Sequence, residues 1–164
     1  MTRMASSIAG RSDLTIGPGQ IESIHLAPAR GAPARWVETA AVKPDHGLVG
    51  DWRNRSGSRR QVTLIDGASI DRVAETLEIT IPSGATRRQI VVRGLSLNSL
   101  VGKHLAIGEV IMEVTMLCDP CDQMETAIGP GARTALGDNG GICVRVIQGG
   151  EVRVGNEVRV LVDQ

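Results

Sequence analysis

The sequence predicts a mainly β domain that closes, or nearly closes, into a barrel and carries a few short helices. Three observations lead to this fold class. From Ile21 onward, short β-branched or alternating runs are punctuated by Gly and Pro. Only the segment 66–77 places its apolar residues along one clear helical face. Closure is favoured because a barrel leaves no free strand edges at which chains could aggregate.

The first half of the chain gives two strands, a long loop, a strand and a helix. The strands are predicted at 21–26 and 36–42, and a polar, glycine-bearing loop follows at 47–60. A strand at 61–65 leads directly into the helix. Asp66 stands where a side chain could cap that helix.

The second half is again rich in strands. They are predicted, in order, within 87–94, at 103–107, at 110–117 and in the alternating segment 141–162. One or two brief helices are expected within 121–137, where a helical pattern meets Gly-Pro-Gly. Gly149-Gly150 predicts a hairpin turn inside the last segment.

Length and local composition predict the domain organisation. The chain has 164 residues, which fits one domain. Residues 1–19 are rich in Ser, Gly and Arg without sustained periodicity and are predicted to be a flexible leader. Residues 20–164 are predicted to form the single barrel domain.

Overall composition excludes several classes of partner. Eighteen basic residues balance eighteen acidic ones, so no net field draws nucleic acid or an anionic membrane. Phe and Tyr are absent, which disfavours base stacking. No segment approaches the ~18 unbroken apolar residues of a membrane span. The three cysteines are an odd number and fit a reducing compartment, so a cytoplasmic protein is predicted.

The run MLCDPCDQME, residues 116–125, carries the most distinctive chemistry, and three interpretations stay open. A zinc site needs four ligands, usually as two close pairs, and the second pair is missing. A dithiol exchange site is possible but lacks the expected βαβ context. The third interpretation is one reactive or metal-ligating thiolate at Cys121, after the turn fixed by Pro120. Cys118 and Cys143 are predicted to be buried apolar side chains.

Arginines cluster in two regions that could meet at one anionic ligand. They are Arg53, Arg55, Arg59 and Arg60 in the long loop, and Arg87, Arg88 and Arg93 around a later strand. Guanidinium groups bind phosphate through forked donors. Asp51 could orient these arginines or cap a turn. His46 and His104 lie in no paired acid–base motif and are not expected to be catalytic.

Several stretches together resemble the MOSC family, the domain found at the carboxyl end of molybdenum-cofactor sulfurases and in small stand-alone bacterial proteins. They are IESIHLAP, GLVGD, RRQVTLID, RRQIVVRGLSLNSLVGKHLAIGEV, LCDPC and GGICVRVIQGGEVRVGNEV, and they cover nearly all of residues 20–160. Two sites depart from the family pattern. Trp52 follows Asp51 where many relatives have Arg, and Gln89 stands where relatives often have Asn.

The resemblance implies a β-barrel of the pyruvate-kinase-barrel type that binds the molybdenum cofactor, a pterin with a phosphate and a metal-holding dithiolene. Cys121 matches the family's functional thiol, which is proposed to carry sulfur as a persulfide or to ligate molybdenum. Asp51, Arg59, Arg60, Arg88 and Arg93 are the candidate cofactor-binding residues. A sulfur donor or a molybdoenzyme is the implied partner.

Two further activities stay open alongside sulfur transfer. One is the reduction of N-hydroxylated compounds, as in amidoxime-reducing relatives. This reaction would need an external electron donor, because the chain contains no flavin or nicotinamide fingerprint. The other is non-catalytic delivery of cofactor or sulfur to a partner enzyme.

Overall fold

A computed structural model of the chain describes residues 16–82 and 84–162, and these ranges contain eleven strands and three helices. The strands are β1 (Gly19–Leu26), β2 (Arg35–Val37), β3 (Thr39–Lys43), β4 (Gly47–Leu48), β5 (Val62–Asp66), β6 (Ile90–Arg93), β7 (His104–Ile107), β8 (Val110–Leu117), β9 (Ile142–Gln148), β10 (Gly150–Arg153) and β11 (Glu157–Leu161). The helices are α1 (Gly67–Leu77), α2 (Asp122–Ile128) and α3 (Ala132–Leu136).

Seven of the strands form a closed barrel, which confirms the predicted mainly β fold with a few short helices. Their order is β1, β11, β7, β8, β9, β5 and β6, and the sheet closes because β1 pairs with both β6 and β11. β5 and β6 are the parallel pair in this ring, since α1 connects them as a crossover. β2 extends the sheet beside β1, and β10, β3 and β4 form a separate small sheet.

Strand alternation separates the barrel interior from the outer face on which the helices pack. Leu64 and Ile90 lie in the main core, whereas their neighbours Ile65 and Val91 belong to a second apolar cluster with the helices. Successive strand residues face opposite sides of a sheet, so one run of apolar residues serves both clusters. Met124 and the partly buried Ile128 of α2 pack in the second cluster and hold this helix against the barrel.

The predicted cap of α1 is confirmed. Asp66 has extended backbone angles, and its carboxylate accepts a hydrogen bond from the Ala68 amide at 3.0 Å. The carboxylate therefore satisfies a donor that the first helical turn leaves unpaired.

The predicted hairpin at Gly149-Gly150 is wrong. β10 pairs with β3, whereas β9 pairs with β5 and β8. A Cβ atom on Gly149 would lie 2.5 Å from the Val42 carbonyl oxygen. The glycine is therefore needed for close approach to β3, rather than for a tight turn back onto β9.

The single strand predicted at 36–42 is two strands. A bend at Glu38 separates β2, which joins the large sheet, from β3, which joins the small one. The polar loop predicted at 47–60 begins with the two-residue strand β4. The rest of that loop contains turns and irregular backbone.

The predicted leader, 1–19, falls mostly outside the described residues. The division of the chain into this leader and a single barrel domain at 20–164 therefore stays a prediction. Residues 16–18 have no regular secondary structure and precede β1. None of the helices that the structure describes combines the length and the apolar character needed to cross a bilayer.

Candidate functional site: a cavity of thiol and guanidinium groups

All three cysteines of the chain line one cavity of about 510 Å³. Small-molecule sites commonly have volumes of roughly 300–1,000 Å³, so this cavity has the size of a ligand site. Its walls come from the loops after β1 and β4, from β5 and β9, from the residues before β6, and from the segment after β8 with the start of α2. The lining side chains other than arginine are Trp52, Ser58, Thr63, Cys118, Cys121, Gln123 and Cys143.

The cavity is strongly cationic. Of the thirteen lining residues within the described part of the chain, six are arginines and none is Asp or Glu. The arginines are Arg30, Arg53, Arg55, Arg60, Arg87 and Arg88. Such a set favours an anion, because guanidinium groups offer forked, permanently charged donors to phosphate oxygens.

Cys121 lies at the rim of this cavity, immediately before α2. It is exposed, and its extended backbone makes it the residue that precedes the first helical turn. Its side chain makes no capping hydrogen bond to that helix. The thiol is therefore accessible to a ligand in the cavity or to a partner outside it.

Arg88 fixes the segment that carries Cys121. Its side chain is buried, and its Nε donates to the Gly140 carbonyl at 2.7 Å. One terminal nitrogen also donates to the carbonyls of Cys118 and Asp119, at 3.3 and 3.0 Å. The guanidinium thus joins the chain after β8 to the chain before β9, and it places a fixed positive charge beside the cysteines.

Cys118 and Cys143 are both buried, as expected, and they also form a hydrogen-bonded pair facing the cavity. The hydrogen bond from the Cys143 thiol, aided by nearby guanidinium charges, lowers the pKa of Cys118 against the opposing effect of burial. The same hydrogen bond raises the pKa of Cys143, because that thiol is the donor. Cys118 is therefore the sulfur of this pair that more readily carries negative charge.

Asp51 orders the arginine loop from behind the cavity. This buried carboxylate accepts hydrogen bonds from the backbone amides of Ala27 and Arg53, each at 2.9 Å, and from the Arg53 guanidinium at 3.1 Å. Arg53 also donates to the Arg87 carbonyl at 2.9 Å. Asp51 does not line the cavity itself but positions the lining residue Arg53.

The Trp52 ring lies beside two of these guanidinium groups. The Cζ atoms of Arg30 and Arg53 are each 5.1 Å from its centroid, which is within cation–π range. The indole thus helps to hold two positively charged side chains at the cavity wall.

The structure does not bring Arg59 and Arg93 to this cavity. Arg59 lies at a bend before β5, donates to the Thr115 carbonyl and lines a different cavity. Arg93 forms salt bridges with Glu22 and Asp71, at 3.1 and 2.8 Å, outside the barrel. Of the predicted cofactor-binding residues, Arg60 and Arg88 share a cavity with Cys121.

The sequence hypothesis missed several of the lining residues. Arg30 comes from the loop between β1 and β2, far from the two regions that were singled out. Thr63 and Cys143 lie within short apolar strand runs and therefore resemble core residues in sequence. A signal for Trp52 existed, since it is one of only two tryptophans and adjoins the glycine-bearing GLVGD turn.

Three buried side-chain donors have no acceptor among the residues that the structure describes. They are Trp52 Nε1, Arg87 Nε and Gln89 Nε2. Two of these side chains line the cavity, and Gln89 contacts the lining residue Thr63 through its Oε1 atom. Buried donors normally have partners, so this part of the barrel fits a ligand rich in acceptors.

The described residues provide no set of ligands for the zinc site considered from the sequence. Within residues 16–82 and 84–162, His, Cys, Asp and Glu side chains form no group of three that could hold a metal ion. The cavity instead offers a ligand the exposed Cys121 thiol, the buried Cys118–Cys143 pair and several guanidinium donors.

Fold and site together define a class of protein: a β-barrel with a cationic cavity that carries thiols. A family model described as MOSC domain matches residues 35–159, which is most of the chain. The chain therefore belongs to the MOSC domain family, whose members are associated with molybdenum-cofactor binding. No curated protein matches the chain significantly.

Solved structures share this fold at low sequence identity. The YUAD protein from Bacillus subtilis is 19% identical, with a TM-score of 0.77 and coverage of 89% of this chain and 97% of that one. YiiM from Geobacillus stearothermophilus is 19% identical, with a TM-score of 0.72 over 88% and 76% of the two chains. YiiM from Escherichia coli is 16% identical, with a TM-score of 0.65 over 88% and 71%.

Proposed function

We propose that the cavity binds the molybdenum cofactor and that Cys121 presents its sulfur there, as a metal ligand or as the carrier of a persulfide. The observation that carries this proposal is an exposed thiol at the rim of a cavity lined by six arginines. Family membership supports the same ligand class.

The residues present suit a phosphorylated pterin. Arg60 and Arg88 would hold the phosphate as charged donors, and Arg53 would be kept in place by Asp51. The unpartnered donors around Trp52 and Arg87 would suit the acceptor atoms of a heterocycle. When bound, the cofactor would supply a redox-active metal that accepts soft sulfur ligands.

Exposure of Cys121 supports exchange with a second protein. A sulfur carrier must receive its sulfur from a donor and release it to an acceptor, so its thiol has to be reachable. The partner that this chemistry implies is a sulfur donor or a molybdoenzyme. Within this chain, Pro120 and the Arg88 hydrogen bonds hold the Cys121 segment steady while the thiol stays open.

Arg60 and Arg59 provide a matched test of the binding role. Replacing Arg60 with Gln should weaken binding of pterin phosphate about tenfold or more, because a charge-assisted hydrogen bond contributes about 1.5–3 kcal/mol. Arg59→Gln removes the same charge one residue away but from a different cavity. Binding is measured by fluorescence titration with the pterin released from a purified molybdoenzyme.

The two variants have the same net charge, so a general field effect would lower affinity equally in both. Equal losses, or wild-type affinity in Arg60→Gln, would contradict phosphate binding in this cavity. Thermal unfolding of both variants controls for damage to the fold.

A further inference from the structure

Cys118 and Cys143 share the cavity with Cys121, yet sulfur transfer through Cys121 alone leaves both without a role. Cys118 directly follows β8, and its amide donates to the Gly141 carbonyl at 2.8 Å. Its carbonyl accepts from the buried Arg88. Its position is thus fixed on both sides of the Cα atom, while its side chain faces the cavity.

The surroundings of Cys118 are those of a nucleophilic sulfur. The Cys143 thiol donates a hydrogen bond to it, and the charges of Arg88 and Arg60 reach it. These effects lower its pKa, which increases the fraction present as thiolate near neutral pH. A thiolate, unlike a thiol, attacks sulfur electrophiles.

We propose that Cys118 is a second nucleophile of this cavity, which takes the outer sulfur of a Cys121 persulfide and moves it from the rim into the interior. The inference rests on the proposed function of Cys121 as a sulfur carrier. Only Asp119 and Pro120 separate the two cysteines, a spacing at which thiols exchange in other proteins. Cys143 is a positioning residue, because it acts through Cys118.

The transfer needs no external oxidant or reductant. A low-molecular-weight persulfide first gives its outer sulfur to the Cys121 thiolate and leaves as a thiolate. The Cys118 thiolate then attacks that outer sulfur. A bond forms between it and Cys118 Sγ, the bond to Cys121 Sγ breaks, and Cys121 leaves as a thiolate. The proton of the persulfide stays on the transferred sulfur, whose oxidation state does not change.

The experiment follows one sulfur atom through the full-length chain. The protein is mixed with glutathione persulfide, quenched with iodoacetamide at set times and mapped by mass spectrometry. Fragmentation between Asp119 and Pro120 places each added sulfur on Cys118 or on Cys121. Sulfur should appear first on Cys121 and later on Cys118, and it should stay on Cys121 in Cys118→Ser.

Cys143 variants separate a reactive Cys118 from a merely accessible one. Cys143→Ala should slow the transfer to Cys118 about tenfold near neutral pH, because a hydrogen bond to a charged group is lost. The pKa of Cys118 should then rise, so transfer should recover as the pH is raised. Cys143→Ser keeps a hydroxyl donor and should restore the wild-type pH profile. Thermal unfolding establishes that each variant is folded.

Three outcomes would overturn the relay. Sulfur held on Cys121 alone in the wild-type chain would do so and would leave the proposed function standing. A Cys118–Cys121 disulfide with released sulfide would show attack at the inner sulfur instead. No sulfur on Cys121 in any folded variant would contradict both the relay and the carrier role on which it rests.

Discussion

Replacing Cys121 with serine is expected to abolish persulfide loading at the rim while leaving the barrel fully folded. The side chain is exposed and takes no part in either apolar cluster, so its replacement creates no cavity. Serine is also a favoured residue at the position before a helix, where cysteine now makes no capping hydrogen bond. The free energy of unfolding should stay constant or rise by up to about 1 kcal/mol.

Intact-mass spectrometry after treatment with glutathione persulfide, together with urea unfolding, measures both effects on the same samples. Cys118→Ser is the matched control, because it removes a cavity thiol of the same chain and should still load sulfur on Cys121. Equal loading of Cys121→Ser and wild type would mean that another cysteine is the entry point.

Replacing Arg88 with methionine is expected to cause the largest loss of stability, about 3 kcal/mol or more. Methionine matches much of the volume but offers no donor to the carbonyls of Gly140, Cys118 and Asp119. Each buried carbonyl left without a partner is destabilising, and the segment that carries Cys121 would lose its connection to the chain before β9. Urea unfolding monitored by tryptophan fluorescence gives the free energy.

Arg87→Met is the control for this change, because Arg87 is adjacent in sequence and its Nε has no acceptor among the described residues. Arg87→Met should lower the free energy of unfolding by well under half of the loss caused by Arg88→Met. Arg88→Lys should recover little stability, since a single ammonium cannot reproduce the fixed fork that spans these carbonyls. A wild-type unfolding curve for Arg88→Met would contradict the structural role assigned to this residue.

Much of the barrel could be predicted from the sequence, because strand alternation and turn residues are local signals. β8 shows this, with Val110, Met112 and Val114 buried in alternation. The Asp66 cap was predictable for the same reason. Pairing partners are not local: Gly149-Gly150 suits a hairpin by composition, and only the approach of β3 decides that β10 pairs elsewhere.

The sequence indicated the chemical groups of the site, but it could not show which residues line the cavity. Pro120-Cys121 and the arginine-rich loop pointed to a thiol beside an anion site. Neighbours such as Arg59 and Arg60 look equivalent in sequence, yet they line different cavities, because residues 59–61 have irregular backbone whose course no local pattern predicts. Arg93 faces outward from β6 and meets carboxylates there.

Cys143 illustrates why a core pattern can conceal part of a site. It lies in the apolar run ICVRVI, which predicts burial, and it is buried. Whether a buried side chain contacts solid core or borders a cavity depends on what the other strands and loops place opposite it. Here Thr63, Cys118 and the arginines line the same cavity, and no local pattern relates them to Cys143.

The most direct test of cofactor binding is the joint content of molybdenum and pterin in the chain isolated from a host that makes the cofactor. Elemental analysis should find molybdenum in the wild-type chain, and fluorescence should detect the oxidised pterin in the same samples. Both contents should be lower in Arg60→Gln but not in Arg59→Gln. Folded wild-type chain from the same host with a free Cys121 thiol and neither molybdenum nor pterin would contradict the proposal.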